Sequence, residues 1–168
     1  SPFWVSYSSL IELAGGVPVY AKGGIESDFK VTPEQLEQAI TPKTKAIIYS
    51  SPCNPTGSVF TLEELTAISE VIKKHKDIVV IADEIYEHIN YTGAHASIGA
   101  IEGMIDRTVT INGMAKGFAM TGWRVGYPGA PLWLAKACNK IQGQITSANC
   151  SIAQRAALTA LTTDIAPT

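Results

Sequence analysis

The sequence predicts an α/β domain whose sheet is mostly parallel and is flanked by helices. Short apolar runs alternate along the chain with longer amphipathic runs, and two of the amphipathic runs open with a helix-capping pattern. Such an order of strand, helix and strand is typical of parallel sheets. The 168 residues, 46% of them hydrophobic and 17% charged, suit one globular domain with a substantial core.

Five short apolar segments predict the strands of this sheet. Their sequences are GVPVYA (16–21), KAIIYS (45–50), IVVIA (78–82), RTVTIN (107–112) and WRVGYP (123–128). Because IVVIA is apolar at every position, we expect this strand to be buried on both faces of the sheet.

Helices are predicted between and after these strands. A threonine followed three residues later by Gln or Glu, at 32–35 and at 61–64, forms a capping box, and apolar residues follow at helical spacing. The second of these helices should run to about Lys74. Residues 131–163 are predicted to be helical in two pieces, with the second piece starting near Ser151.

Composition and motifs argue against several classes of partner. The net charge of −2 and the absence of a basic stripe argue against nucleic acid, and the longest apolar run is too short to span a membrane. The first residues lack the features of a signal peptide. The three cysteines show no C-x-x-C pattern and the three histidines no H-E-x-x-H pattern, which argues against a metal site. We therefore expect a cytoplasmic protein that binds no nucleic acid, membrane or metal.

Polar side chains follow three of the predicted strands. In chain order they are Asn54, then Asp83 and Tyr86, then Lys116 and Arg124. Ligands of open α/β sheets bind beyond the carboxyl ends of the strands. We therefore expect these five side chains to share one rim of the sheet.

Each of these residues also has an ordinary structural explanation. Asn54 precedes a proline and suits a turn, Asp83 suits a helix cap, and Tyr86 suits a half-buried core position. The two cations could lie on the surface, although their apolar neighbours argue against it. Trp4, near the start of the chain, is by default a core or interface residue.

Together, these side chains match the chemistry of one cofactor, pyridoxal 5′-phosphate (PLP). Its aldehyde can react with an amine, and its ring nitrogen can pair with a carboxylate. Its ring hydroxyl can bond to an amide and a phenol, and its flat face can stack on an aromatic ring. Its phosphate suits an arginine, which would explain the cation pair Lys116 and Arg124 in the otherwise apolar run NGMAKGFAMTGWRVGY. The glycine motifs of dinucleotide and nucleoside triphosphate sites are absent, as is the G-x-S-x-G motif of hydrolases.

Three blocks of sequence, NPTG, ADEIY and AKGFAMTGWRVGY, occur in this order. They resemble the class I aminotransferases of fold type I, and within them the bacterial aspartate aminotransferase branch. The opening PFWVSY and the later CNKIQGQITSANCSIAQRAA resemble the same branch. The resemblance extends over essentially the whole chain, and K-x-F-x-M-T-G-W-R-x-G-Y is a specific motif.

The resemblance implies a role for each candidate residue. Lys116 would form the internal aldimine with PLP, and Asp83 would pair with the pyridinium nitrogen. Asn54 and Tyr86 would hydrogen-bond the ring oxygen, and Trp4 would stack on the ring. Arg124 would grip the phosphate.

The resemblance also implies the reaction. Lys116, displaced by an amino-acid substrate, would move a proton at the substrate's Cα in an amino transfer between an amino acid, aspartate, and a 2-oxo acid. Members of this family are homodimers when full length.

The sequence departs from the family pattern in two ways. Gly113 stands where many relatives place a serine that binds the phosphate. Family members also begin well before Trp4 and continue after Thr163 into a small domain. The resemblance therefore implies that residues 1–168 are the incomplete, central part of a PLP-binding large domain, without the N-terminal segment and the small domain, and inactive alone.

Two other functions remain open from the sequence. One is a β-eliminating lyase of the same fold, since the lysine and the aspartate serve both reactions; the T-G-W-R-x-G-Y context favours aminotransferases. The other is a non-catalytic remnant that binds a partner through an exposed sheet edge.

Overall fold

The computed structural model describes residues 1–164 of the chain. Its helices and strands follow one another in the order α1 (Ser6–Leu13), α2 (Pro33–Ala39), β1 (Ala46–Ser50), α3 (Leu62–Lys73), β2 (Val79–Asp83), β3 (Thr108–Gly113), β4 (Gly126–Gly129), α4 (Leu132–Ile145) and α5 (Ser151–Thr162).

The four strands form one sheet in the order β1-β2-β3-β4. The first three strands are parallel, and β4 pairs antiparallel with β3. The prediction of a mostly parallel sheet flanked by helices is therefore confirmed. Ser50 lies opposite Asp83, and Asp83 lies opposite Ile111, so the segments that follow the three parallel strands leave the sheet at the same edge.

The two predicted helix starts are confirmed by their capping hydrogen bonds. The Thr32 hydroxyl accepts from the Gln35 amide at 3.3 Å, and the Thr61 hydroxyl accepts from the Glu64 amide at 3.2 Å. In each helix the Gln or Glu side chain accepts in return from the threonine amide. Such caps typically contribute about 1 kcal/mol each, because they satisfy amides that the helix leaves free.

The core lies between α2, α3 and one face of the sheet. It includes Leu36 of α2, Leu65 and Ile72 of α3, and Val80 and Ala82 of β2, all of them buried. Burying a side chain of the size of leucine or isoleucine contributes about 1.5–3 kcal/mol. This packing fixes the position of β2, and with it the position of Asp83 at the end of that strand.

Residues 16–21 do not form a strand, so that prediction is wrong. Val17 and Val19 are exposed rather than half-buried. The backbone of this region is bonded to the first residue of the chain, through Ala21 O and Gly23 N. A strand needs a hydrogen-bonded partner along its length, and the bonds to Ser1 lie at only one end of this segment.

The expectation that β2 is buried on both faces is also wrong. Val80 and Ala82 are buried, whereas Val79 and Ile81 are only partly buried. The physical reason is that the core cluster of the described residues contacts β2 on the Val80 face.

The remaining helices and strands are of the predicted type, but some of them begin or end at other residues than predicted. The last strand begins at Gly126, and α4 and α5 are the two predicted C-terminal pieces, with α5 starting at Ser151. Helix α1 was not predicted. Within residues 1–164, every helix is too short or too polar to cross a membrane.

Candidate active site

The candidate residues converge because the turn after β1 is tied to the end of β2. The amide of Ser51 donates to the carbonyl of Asp83 at 3.1 Å. The turn is closed by a hydrogen bond from Gly57 N to Cys53 O at 2.8 Å, with Gly57 at a φ of +75° that favours glycine. Asn54 therefore projects from a turn whose start is fixed to the strand that carries Asp83.

Asn54, Tyr86 and Lys116, which follow three different strands, lie side by side. The amide Nδ2 of Asn54 donates to the Tyr86 hydroxyl at 3.4 Å. The Lys116 Nζ lies 5.7 Å from the centre of the Tyr86 ring, within the range of a cation–π interaction. An amide, a phenol and an amine are thus within reach of one small ligand.

Asp83, the last residue of β2, has both carboxylate oxygens hydrogen-bonded. Oδ1 accepts from the Ile85 amide at 3.3 Å, which is the local bond expected of a turn-starting aspartate. Oδ2 accepts from the Tyr7 hydroxyl at 2.5 Å, a contact that spans 76 residues of sequence. The local bond matches the ordinary explanation as a cap, whereas the Tyr7 bond goes beyond it.

Tyr7 connects Asp83 to Trp4. The Trp4 and Tyr7 rings are 5.6 Å apart and nearly perpendicular at 85°, and Tyr7 is buried. Burial and the neighbouring Asp83 carboxylate raise the pKa of Tyr7 far above its usual value, so that its hydroxyl stays protonated. Trp4 itself is 42% exposed, which leaves part of its ring free.

Lys116 and Arg124 belong to a loop that closes on itself after β3. The Met114 amide donates to Val125 O at 3.1 Å, and the Met120 amide donates to Met114 O at 3.2 Å. Both cations are exposed, so the apolar composition of the run does not mean that their charges are buried.

Arg124 has a left-handed backbone conformation, and its side chain bonds to a neighbouring residue of the same loop. Its φ of +55° is left-handed, which costs a non-glycine residue about 1 kcal/mol. Its guanidinium Nη1 donates to Thr121 O at 2.8 Å. Asn54 and Tyr86 are hydrogen-bonded to each other and Lys116 contacts the Tyr86 ring, whereas Arg124 is bonded within its own loop.

Glycine at position 113 is required by the packing of β3 against the chain that enters β4. A Cβ at Gly113 would lie 2.8 Å from Val125 O and 2.9 Å from the Gly126 Cα. Because both contacts are with backbone, a serine could not occupy this position without separating the strands. This explains the departure from the serine-containing pattern.

Sequence reasoning missed Tyr7 and a second buried group, Glu84. The Glu84 carboxylate, only 3% exposed, accepts from the Ser97 hydroxyl at 2.7 Å and lies 2.8 Å from His95 Nε2. The bond to Glu84 raises the pKa of His95. One ligand atom each of Glu84, Glu87 and His95 lies within 4.8 Å of the others, but the Glu84 oxygens already bond His95 and Ser97.

A signal in the sequence could have identified Tyr7. It lies three residues after Trp4, and this spacing places the two aromatic rings on the same side of a helical turn. Glu84 directly follows Asp83, but its partners lie 11 and 13 residues further on in an irregular segment. No sequence pattern marks that contact.

Relatives of known function match nearly the whole chain. An aspartate/prephenate aminotransferase of Cereibacter sphaeroides is 50% identical over 163 residues, which are 96% of this chain and 41% of that protein. An aspartate aminotransferase of Geobacillus stearothermophilus is 49% identical over 95% of this chain and 41% of its own length. This chain therefore spans about two fifths of the length of these relatives.

Solved structures give the same result for the fold. The aspartate aminotransferase of Rhizobium meliloti superimposes with a TM-score of 0.96 at 38% identity, over 99% of this chain and 42% of that one. The aspartate aminotransferase of Thermus thermophilus, solved with maleate, superimposes with a TM-score of 0.92 at 45% identity. The match covers 96% of this chain and 42% of that one. The sequence profile described as aminotransferase class I and II, a PLP-dependent family, matches residues 1–166. The chain thus belongs to the class I and II aminotransferase family.

Proposed function

We propose that residues 1–168 are the central part of the PLP-binding domain of a longer aminotransferase. The full-length protein would transfer an amino group between aspartate and a 2-oxo acid. The observation that carries this proposal is the convergence of Asn54, Asp83, Tyr86 and Lys116 beyond the carboxyl ends of three parallel strands.

The donor set fits the chemistry of PLP. The Lys116 amine is exposed and lies beside the Tyr86 ring, where an aldehyde can reach it. Asp83 offers a carboxylate held in place by two hydrogen bonds, which suits a protonated ring nitrogen. The Asn54 Nδ2 and the Tyr86 hydroxyl are 3.4 Å apart, so both can donate to one acceptor such as the ring oxygen.

Bound PLP supplies a ring that withdraws electrons from the substrate's Cα. Lys116 would hold the cofactor by its aldehyde, and its amine would move the substrate's Cα proton as a general base and acid. The Asp83 carboxylate would favour a proton on the ring nitrogen. Arg124 would bind the phosphate, and the exposed part of Trp4 would offer an aromatic face to the cofactor ring.

The phosphate contact in this chain differs from the serine-containing pattern. Because a Cβ at Gly113 would collide with backbone, no side-chain hydroxyl can come from this position. Arg124 would therefore carry a larger share of phosphate binding from within residues 1–164. The exposed guanidinium is available for this role.

The names of the relatives support the choice of substrate. Several relatives are named for aspartate, and a structural neighbour was solved with maleate, a four-carbon dicarboxylate like aspartate. We infer that the full-length protein uses aspartate, works in the cytoplasm and forms a homodimer. The names of the relatives favour an aminotransferase over a β-eliminating lyase or a non-catalytic remnant.

Reductive trapping tests the proposal. In the full-length protein, borohydride added in the presence of PLP should fix the cofactor on the peptide that contains Lys116. The variant Lys116→Ala should abolish this labelling, whereas the matched variants Lys136→Ala and Lys140→Ala on α4 should leave it intact. Labelling of Lys136 or Lys140 in place of Lys116 would contradict the assignment.

A further inference from the structure

We propose that Tyr7 is a positioning residue that sets the orientation of the Asp83 carboxylate toward the ring nitrogen of the cofactor. This inference rests on the proposed function, since it assigns to Asp83 the contact with that nitrogen. Nothing in the motifs that carry the family resemblance gives Tyr7 a role.

The first support is the asymmetry of the two hydrogen bonds to Asp83. The Tyr7 hydroxyl lies 2.5 Å from Oδ2, at the short end of the range for a hydroxyl bonded to a carboxylate. The Ile85 amide lies 3.3 Å from Oδ1, which is long for such a bond. The side-chain rotation of Asp83 is therefore held more firmly by Tyr7 than by the local backbone.

The second support is that the Tyr7 ring is itself held in place. Tyr7 is 4% exposed, so its hydroxyl has no alternative partner in bulk water. Trp4 packs edge-on against it at 5.6 Å, and Phe3 stacks on it at 6.2 Å with an angle of 19°. A ring packed by two aromatic neighbours presents its hydroxyl at one point in space, which is what orientation of a carboxylate requires.

The third support is that the donor does not titrate under working conditions. Burial, followed by the hydrogen bond to Asp83, raises the pKa of Tyr7 far above its usual value. The hydroxyl therefore remains a neutral donor, and it orients the Asp83 carboxylate without cancelling its charge. A cation in the same place would compete with the ring nitrogen for that charge.

The turn that leads from Trp4 into α1 thereby serves two sides of the proposed cofactor site. Trp4, with 42% of its surface exposed, is available to stack on the ring face, while Tyr7 reaches the carboxylate that binds the ring edge. The two rings contact each other, so the stacking surface and the carboxylate are placed by the same turn of chain.

The test is Tyr7→Phe in the full-length protein with bound PLP labelled with ¹⁵N in the ring. We expect the ring-nitrogen signal to move toward the unprotonated position, because the Asp83 carboxylate is free to rotate away. We expect kcat to fall about tenfold to a hundredfold, as for a misplacement of up to an ångström, with KM for aspartate changed less than about twofold.

Tyr20→Phe is the matched control. Tyr20 belongs to the same aromatic cluster, stacked on Phe3 at 5.5 Å, but its hydroxyl makes no described contact with Asp83. The same loss of a hydroxyl should leave the nitrogen signal, kcat and KM unchanged. If Tyr7→Phe does not fold, 4-fluorophenylalanine at position 7 fills the space of the hydroxyl but cannot donate, and it should give the same nitrogen shift.

A double-mutant cycle separates a role through Asp83 from a general packing effect. In the Asp83→Asn background, Tyr7→Phe should lower kcat by less than about twofold, because its effect passes through the carboxylate. An unchanged ¹⁵N signal and unchanged kcat in Tyr7→Phe, or equal effects in both backgrounds, would overturn the inference. If the unmodified protein does not bind PLP at Lys116, the proposed function fails instead.

Discussion

At the scale of single residues, Asp83 shows how a local and a distant contact combine. Its bond to Ile85 follows from its place at the start of a turn and could be expected from the sequence. Its bond to Tyr7 depends on the packing of a helix that lies 76 residues away. The first contact would exist in any turn of this kind, whereas the second marks a carboxylate whose orientation matters.

Replacing the charge of Asp83 tests its proposed role. Asp83→Asn in the full-length protein should still bind PLP but lose on the order of a hundredfold or more in kcat/KM, because negative charge at the substrate's Cα develops chiefly in the transition state. Single-turnover absorbance changes with aspartate measure this step. A variant that transaminates at nearly the original rate would show that Asp83 only starts a turn.

Gly113 also affects the stability of the sheet. Gly113→Ala places a methyl group 2.8 Å from Val125 O and 2.9 Å from the Gly126 Cα. Neither backbone atom can move without parting β3 from β4, so we expect a loss of about 1–3 kcal/mol in the free energy of unfolding. Urea unfolding of the full-length protein measures it.

Gly129→Ala is the control for this stability measurement. Gly129 lies on β4 with a negative φ and open space around its Cβ position. Its substitution should change the free energy of unfolding by no more than about 0.5 kcal/mol. Equal effects of the two substitutions would contradict the packing explanation for Gly113.

The candidate site was predictable where residues directly follow strands. Asn54, Asp83, Tyr86 and Lys116 were identified because parallel strands deliver their following residues to one edge. Glu84 was not identified because its partners lie in an irregular segment, and Tyr7 was not identified because its bond to Asp83 spans 76 residues of sequence. The exposure of Lys116 and Arg124 was missed for a related reason: the apolar neighbours in the sequence do not cover them in space.

At the scale of elements, Glu84 ties the segment that follows β2 to the sheet. Its amide donates to Ile111 O at 2.9 Å, and its carboxylate bonds His95 and Ser97. The residues in between include Tyr86, so this tether limits how far the segment carrying the phenol can move. His95 Nδ1 is buried without a hydrogen-bond partner among residues 1–164.

The raised pKa of His95 predicts how this tether depends on pH. Protonated His95 is stabilised by Glu84 in the folded state, so its contribution to stability is fully present below the unfolded pKa near 6.5. The contribution is lost as the pH rises through the higher, folded pKa. The difference in melting temperature between the unmodified protein and His95→Gln should therefore shrink from acidic to alkaline pH.

Thermal unfolding of the full-length protein between pH 5.5 and 9, followed by circular dichroism, measures this difference. His75→Gln is a suitable control, because the partner of His75, Glu37, is an exposed carboxylate on α2. A difference for His95→Gln that grows with pH would contradict the predicted sign.

The elements themselves were predictable to different degrees. The capping boxes located α2 and α3 because they are local chemistry that the fold preserves. The apolar alternation at 16–21 was misleading, since a strand exists only if a partner lies beside it. Helix α1 was missed because its polar serines and short length give a weak pattern.

At the scale of the whole molecule, the described chain leaves much apolar surface exposed on its helices. The exposed apolar side chains include Leu10 and Leu13 of α1, Leu132, Trp133, Ile141 and Ile145 of α4, and Ile152, Leu158 and Leu161 of α5. Helix α4 has no buried residue at all. Apolar surface on this scale is typical of regions that contact further protein. It agrees with the proposal that the chain is part of a longer protein, as does its coverage of two fifths of each relative.

The 168-residue chain by itself should be inactive. With PLP, aspartate and 2-oxoglutarate, we expect no measurable formation of oxaloacetate, although Lys116 is exposed and can react slowly with the aldehyde. Arg124 alone fixes the phosphate poorly, and a displacement of the reacting atoms by about an ångström lowers the rate by about a hundredfold. The exposed faces of α1, α4 and α5 should also make the chain self-associate, which light scattering can follow. The full-length protein assayed in parallel is the control. If the short chain turned over substrate at the rate of the full-length protein, the residues beyond the strand ends would suffice for catalysis. No other part of the site would then be needed to hold the cofactor or the substrate.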